Sequence, residues 1–136
     1  MLQQDYNLIT QKIIHSAIEV HKTLGPGLME SVYEVCLWKE MQHHGLFVQR
    51  QLVLPVSYKG MVLEKEFIID QLIEGTIILE LKSVESILPV HEAQLLTYLK
   101  LSEKKLGLLI NFNVPVLVQG IRRKINGILP NGDQAV

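Results

Sequence analysis

Between Leu106 and Phe112 the chain reads Leu-Gly-Leu-Leu-Ile-Asn-Phe, almost without a polar side chain. Successive residues of a strand point to opposite faces. A strand apolar on both faces must therefore be covered on both, as in the interior of a parallel or mixed sheet. A sheet open to water on one side cannot use such a segment. The rest of the chain has to supply helices above and below it.

The helices are legible upstream. Ile9, Ile13, Ala17, Val20 and Leu24 recur at spacings of four, four, three and four, one apolar stripe of an amphipathic helix. Gly25-Pro26-Gly27 ends it. A second helix is expected from about Leu28 to His44, stopped by Gly45, with Glu30, Tyr33, Leu37 and Met41 on one face. Phe47 to Tyr58 is β-like, Lys59-Gly60 reads as a turn, and Met61 to Leu72 is the next strand. Glu74-Gly75 punctuates before a third strand, Thr76 to Val84. Pro89 suits the first turn of a helix that continues through Glu92, Leu95, Leu96 and Leu99. Leu106 to Phe112 follows, with Val116 to Ile121 as a candidate last strand before Arg122-Arg123-Lys124. The order predicts an α/β fold, a mixed central sheet flanked by helices.

The 136 residues suit one compact domain, residues 1–136, with a tail from 129 expected to fray. At 48% hydrophobic and 20% charged the chain has material for a core and is unlike a disordered one. No apolar run approaches membrane-spanning length. The polar start, Met1 to Tyr6, lacks a signal-peptide pattern, so the expectation is a soluble cytoplasmic protein with no membrane partner. The lone Cys36 excludes an internal disulfide and a cysteine-rich zinc site. A net charge of −1 does not announce a nucleic-acid-binding module, although a site rich in carboxylates would offset basic residues elsewhere.

Chemistry concentrates in the third strand and the one before it. Glu80 and Lys82 are two apart and share a face, straddling Leu81, whose carbonyl is a further oxygen. A three-residue loop centred on Gly75 would set Asp70 opposite Glu80 on that face. A two-residue loop at Glu74-Gly75 would set them on opposite faces. Two carboxylates at close range repel unless a cation lies between them, and hard oxygen donors suit Mg²⁺ or Mn²⁺.

Asp70 followed by Glu80-Leu81-Lys82 resembles the PD-(D/E)xK nuclease superfamily, whose core runs helix, three strands, helix, strand. Gly27-Leu28-Met29-Glu30-Ser31-Val32-Tyr33 is similar to the motif that names its GxxExxY family. His91 to Leu99 and Leu108 to Phe112 resemble further blocks of that family, and Gln94 with Tyr98 resembles the QxxxY element of RecB-like nucleases. The similarity spans roughly Ile9 to Lys124. It implies a restriction-endonuclease-like core with an extra N-terminal helix, and Mg²⁺-dependent (or Mn²⁺-dependent) hydrolysis of nucleic acid, DNA first. It also implies roles. Asp70, Glu80 and the Leu81 carbonyl would be metal ligands, joined by Glu30. Lys82 would position the nucleophile, Gln94 would orient Lys82 or the substrate, and Tyr98 would face the site or a phosphate. Two positions depart from the pattern: Ile69 stands where Pro is common, and Ile68 where a basic residue is expected.

Plainer roles stand beside these. Glu30 could be a first-turn acid that favours the helix dipole. Gln94 could be helix surface and Tyr98 core. Arg122-Arg123-Lys124 could track a DNA backbone or form a solvated charge run. Trp38 could pack or act as a stacking platform. The five histidines form no zinc-protease spacing, and His21 reads as a packed, hydrogen-bonded residue. Two non-catalytic alternatives remain: a module that binds nucleic acid or protein without turnover, and an assembly subunit that buries a sheet edge or the apolar Val114 to Val118 surface in a homodimer.

Overall fold

The computed structural model describes residues 1–130 and the short strand Asp133–Gln134. Helix α1 (Gln3–Leu24) buries Tyr6, Ile13, Ala17 and Val20, the predicted stripe extended by one turn. Helix α2 (Glu30–His43) starts two residues later than expected, because Leu28 lies in a bend and Met29 enters the helix in extended conformation. Its buried stripe is Tyr33, Glu34, Leu37 and Met41. A carboxylate, Glu34, thus sits among core positions.

Five strands form one sheet in the order β1-β2-β3-β4-β5: β1 (Val48–Tyr58), β2 (Met61–Ile73), β3 (Ile77–Lys82), β4 (Leu106–Asn111) and β5 (Ile121–Ile125). All neighbours are antiparallel except β3 and β4, which are parallel and joined by helix α3 (Pro89–Ser102). This is the mixed, helix-flanked sheet expected of a restriction-endonuclease-like core. Every residue of β4 is buried. On one face Ile77, Leu79, Leu81, Leu108 and Ile110 pack under α1 and α2. On the other, Ile78 and Leu109 pack under Leu95, Tyr98 and Leu99 of α3. Each fully buried aliphatic side chain of this kind contributes about 1.5–3 kcal/mol.

The β1–β2 ribbon turns over along its length. Val48 packs into the α1/α2 core, and Arg50 bonds to Glu34 of α2. Two residues further on, Leu52 and Leu54 pack under α3. Their partners behave alike: Ile73 and Gln71 face α2, whereas Ile69 and Phe67 face α3. Residues of one parity cannot change face in a flat strand. The change falls at Gln51, which adopts φ 50, a left-handed backbone uncommon outside glycine. Gln51 stands across from Asp70, between the Arg50↔Gln71 and Leu52↔Ile69 pairs.

One region differs from expectation. Val116 to Ile121 is not a strand. Leu117–Gly120 forms a single 3-10 turn, and the strand is β5, which takes in Arg122-Arg123-Lys124. Gly120 explains the shift, since a Cβ there would collide with the Asn111 carbonyl oxygen. The chain passes too close to β4 to pair with it until Ile121. Near the end of the chain, Leu129 is buried, and β6 (Ile128–Leu129) pairs with β7 (Asp133–Gln134). The remainder of the expected tail, 131, 132, 135 and 136, lies outside the described residues. Among the described residues, no helix is long and apolar enough to cross a membrane.

Candidate active site

The β2–β3 hairpin sets the geometry. Ile73 pairs with Ile77, leaving Glu74-Gly75-Thr76 as a three-residue loop. Glu74 takes φ 52, held by reciprocal bonds with Phe47: its N–H donates to the Phe47 carbonyl at 2.9 Å, and its carboxylate accepts from the Phe47 N–H at 2.9 Å. This loop carries the register that sets Asp70 against Glu80.

The ladder runs through Ile73↔Ile77, Leu72↔Ile78 and Gln71↔Leu79, then stops. At the next position the strands separate and side chains take over. The Leu81 N–H donates to Asp70 Oδ2 at 2.7 Å, and the Asp70 N–H donates to Glu80 Oε1 at 3.2 Å. Each carboxylate satisfies a backbone donor of the opposite strand. The N–H and C=O of one strand residue project to the same edge. The Leu81 carbonyl therefore lies on the edge that Asp70 occupies.

Glu80 is only 6% exposed. Burial, and then the charge of Asp70, push its pKa up to about 8. Burial also raises Asp70; the Leu81 N–H and the Lys82 ammonium oppose this, while Glu30 and Glu34 add to it. A buried and a half-buried carboxylate at close range cannot both hold charge comfortably without a nearby cation. That fits a hard divalent ion. Among the described residues no group of three His, Cys, Asp or Glu side chains forms a ready metal cage. The oxygen donors at hand are Asp70, Glu80 and the Leu81 carbonyl.

Lys82 is half-buried, on the same face as Glu80, and its charge lowers the pKa of both carboxylates. Two elements fix the chain beyond it. The Asn111 side chain clamps Val84, accepting from its N–H at 3.0 Å and donating to its carbonyl at 2.9 Å. The Ser83 hydroxyl donates to the Leu28 carbonyl at 2.6 Å.

Glu30 is exposed at the start of α2 and accepts from the Ser83 N–H at 3.4 Å. With Asp70 and Leu81 it lines a cleft between α2 and the sheet. The rest of its motif is structural. Gly27 has φ 94, which favours glycine. The buried Tyr33 donates to the Gly25 carbonyl at 2.6 Å, accepts from the Leu28 N–H at 3.1 Å, and stacks on Phe112 at 4.4 Å. Tyr33 thereby holds the loop that presents Glu30.

Tyr98 is 5% exposed in the α3 core against Phe67. Burial, then Glu80 and Asp70, raise its pKa, so the phenol lies within electrostatic reach of both carboxylates. Gln94, one turn earlier, is exposed and makes no hydrogen bond to them or to Lys82. The structure thus groups Asp70, Glu80, Leu81 and Lys82, sets Glu30 and Tyr98 at their borders, and leaves Gln94 facing solvent. His21 bonds to the Val114 carbonyl at 2.8 Å and His91 accepts from the Leu88 N–H at 3.0 Å, so both have structural partners.

Sequence reasoning missed Glu34, Arg50 and Gln71. Arg50 donates to both oxygens of Glu34, at 2.9 and 2.6 Å. Gln71 donates to Glu34 Oε2 at 2.7 Å and to its carbonyl at 2.9 Å. Burial alone would raise the Glu34 carboxyl; the bonds from Arg50 and Gln71 outweigh it and hold it below the ordinary range. The available signal was a second acid, four residues after Glu30, on an otherwise apolar face.

A family model described as the PD-(D/E)XK nuclease superfamily matches residues 7–124. No curated protein and no solved structure matches the chain.

Proposed function

This chain belongs to the PD-(D/E)XK nuclease superfamily, and from that premise we propose that it hydrolyses phosphodiester bonds in DNA with the help of Mg²⁺ or Mn²⁺. Nucleases of this superfamily generally use divalent metal ions. The observation that carries the reading is the split of β2 from β3, where Asp70 and Glu80 exchange backbone donors with Lys82 beside them. Asp70, Glu80 and the Leu81 carbonyl would hold the ion, with Glu30 at the cleft wall beside them. A divalent ion there would supply a more acidic water and a Lewis acid for a phosphoryl oxygen. Lys82 orients the attacking water and offsets charge that develops on the phosphoryl group. Tyr98 supports the carboxylates from the α3 side. Gln94, being exposed, contacts substrate rather than Lys82. The motif Gly27 to Tyr33 supports a place for the chain in the GxxExxY branch.

The test combines turnover with metal uptake. Lys82→Ala should lose about 10²–10⁴-fold in cleavage of a DNA substrate with its melting temperature unchanged. Asp70→Ala should also lose saturable Mn²⁺ binding in calorimetry. Cleavage by Lys82→Ala at the wild-type rate would end this mechanism. Binding of DNA without cleavage under any divalent ion would favour a non-catalytic binding module instead.

A further inference from the structure

The carboxylates account for a metal but not for the grip on a polyanion, and Ile68 leaves β2 without the basic residue that the motif leads one to expect. Arg50 stands on the neighbouring strand, paired across from Gln71, in the cleft that Asp70 and Leu81 line. Its guanidinium is fixed three ways. Nε and Nη2 clasp the buried Glu34. Glu34 is itself fastened by Gln71. The guanidinium carbon lies 4.0 Å from the centre of the Trp38 ring. Lys39 Nζ approaches the same ring at 4.6 Å, adding a second cation at the rim.

Of the five guanidinium N–H groups, the clasp uses two, and the others keep the planar geometry that suits phosphate. Arg50 is partly exposed, so those donors are within reach of a ligand. A merely structural ion pair would need neither the aromatic shelf nor a position in the cleft. We propose that Arg50, held by Glu34 and Trp38, forms a phosphate subsite that takes a non-scissile phosphate of the nucleic-acid strand beside the Asp70–Glu80 site. This rests on the nuclease reading for its substrate and adds the residue that seats the backbone.

The experiment measures binding rather than turnover. Anisotropy of a fluorescein-labelled DNA oligonucleotide is followed across a salt series in Ca²⁺, with Mn²⁺ calorimetry alongside. Arg50→Gln should weaken binding roughly five- to ten-fold at 0.1 M salt and lower the slope of log affinity against log salt by about one, the signature of one lost phosphate contact. Mn²⁺ affinity should stay within about three-fold, because Arg50 ligates nothing. Arg50→Gln alone strands the buried Glu34 charge and could unfold the chain. Glu34→Gln/Arg50→Gln removes both charges together and should show the same drop in slope. An unchanged slope and affinity in the folded double variant would overturn the subsite. So would a wild-type chain that binds Mn²⁺ but no oligonucleotide, an outcome that leaves the metal reading standing. A slope change in a chain that neither takes up Mn²⁺ nor cleaves would support the subsite while the nuclease reading fails.

Discussion

The two ends of the β2–β3 hairpin do opposite things with the same backbone groups. At the turn, Ile73, Leu72 and Gln71 pair with Ile77, Ile78 and Leu79 in an unbroken ladder, and all six side chains are buried. One pair further on, the strands part, and the N–H groups of Leu81 and Asp70 go to the carboxylates of Asp70 and Glu80. The closed end is cheap to maintain, since its hydrogen bonds are mutual and its side chains apolar. The open end keeps two acids in a place where burial disfavours their charge. The candidate site is built by interrupting regular structure, with the intact end supplying the rigidity.

Shortening the turn should break the comparison outright. Deleting Thr76 converts the three-residue loop to two, and a slip of one residue moves every side chain of a strand to the other face. Either the site or the core must then be lost. We expect no measurable Mn²⁺ binding by calorimetry and a strongly destabilised fold by thermal melting. Truncating the closed end separates stability from chemistry. Ile73→Ala, at a position with no exposure, should cost about 2–5 kcal/mol in denaturant unfolding. The folded fraction should still bind Mn²⁺ with wild-type affinity.

The open end makes a pH prediction. The Glu80 pKa is raised from 4.5 in the unfolded chain to about 8 in the folded one. Between those values the folded state holds the extra proton, so the stability associated with this group is complete below pH 4.5 and is lost as pH rises through 8. Metal-free melting temperature should fall across that window beyond the trend of Glu80→Gln. Mn²⁺ should reverse the fall and release a proton as it binds. A metal-free curve that parallels Glu80→Gln would refute the raised pKa. The smallest effect belongs to Tyr33→Phe, which removes the hydroxyl from Gly25 and Leu28 at a cost of about 1–2 kcal/mol by thermal melting. It loosens the loop carrying Glu30 and leaves the ladder intact, so Mn²⁺ affinity should change by less than about three-fold.

Much of this was open to a reader of the sequence. The apolar run at Leu106 required cover on both faces, and α1, α2 and α3 provide it. Alternation on a single strand put Glu80 and Lys82 on one side. Asp70 and Glu80-Leu81-Lys82 supplied the superfamily. Each of these signals is local, a spacing or a short pattern, and local periodicity survives without knowledge of the partner strand. Whether Asp70 met Glu80 depended on a loop of two residues or three, and both readings were consistent with Glu74-Gly75.

Three features belonged to the tertiary structure alone. The loop length followed from the bonds between Glu74, just after β2, and Phe47, just before β1. The turnover of the β1–β2 ribbon at Gln51 reversed the face that simple alternation assigns to Leu52 and Ile69, because twist is a property of the pair of strands. The Glu34–Arg50–Gln71 cluster joins α2, β1 and β2, and no spacing along the chain links residues brought together by packing. The sequence determined which elements form and which of their faces are apolar, since those depend on neighbours along the chain. Where the strands part, which charges face each other there, and how far burial shifts them were decided by contacts between segments distant in sequence.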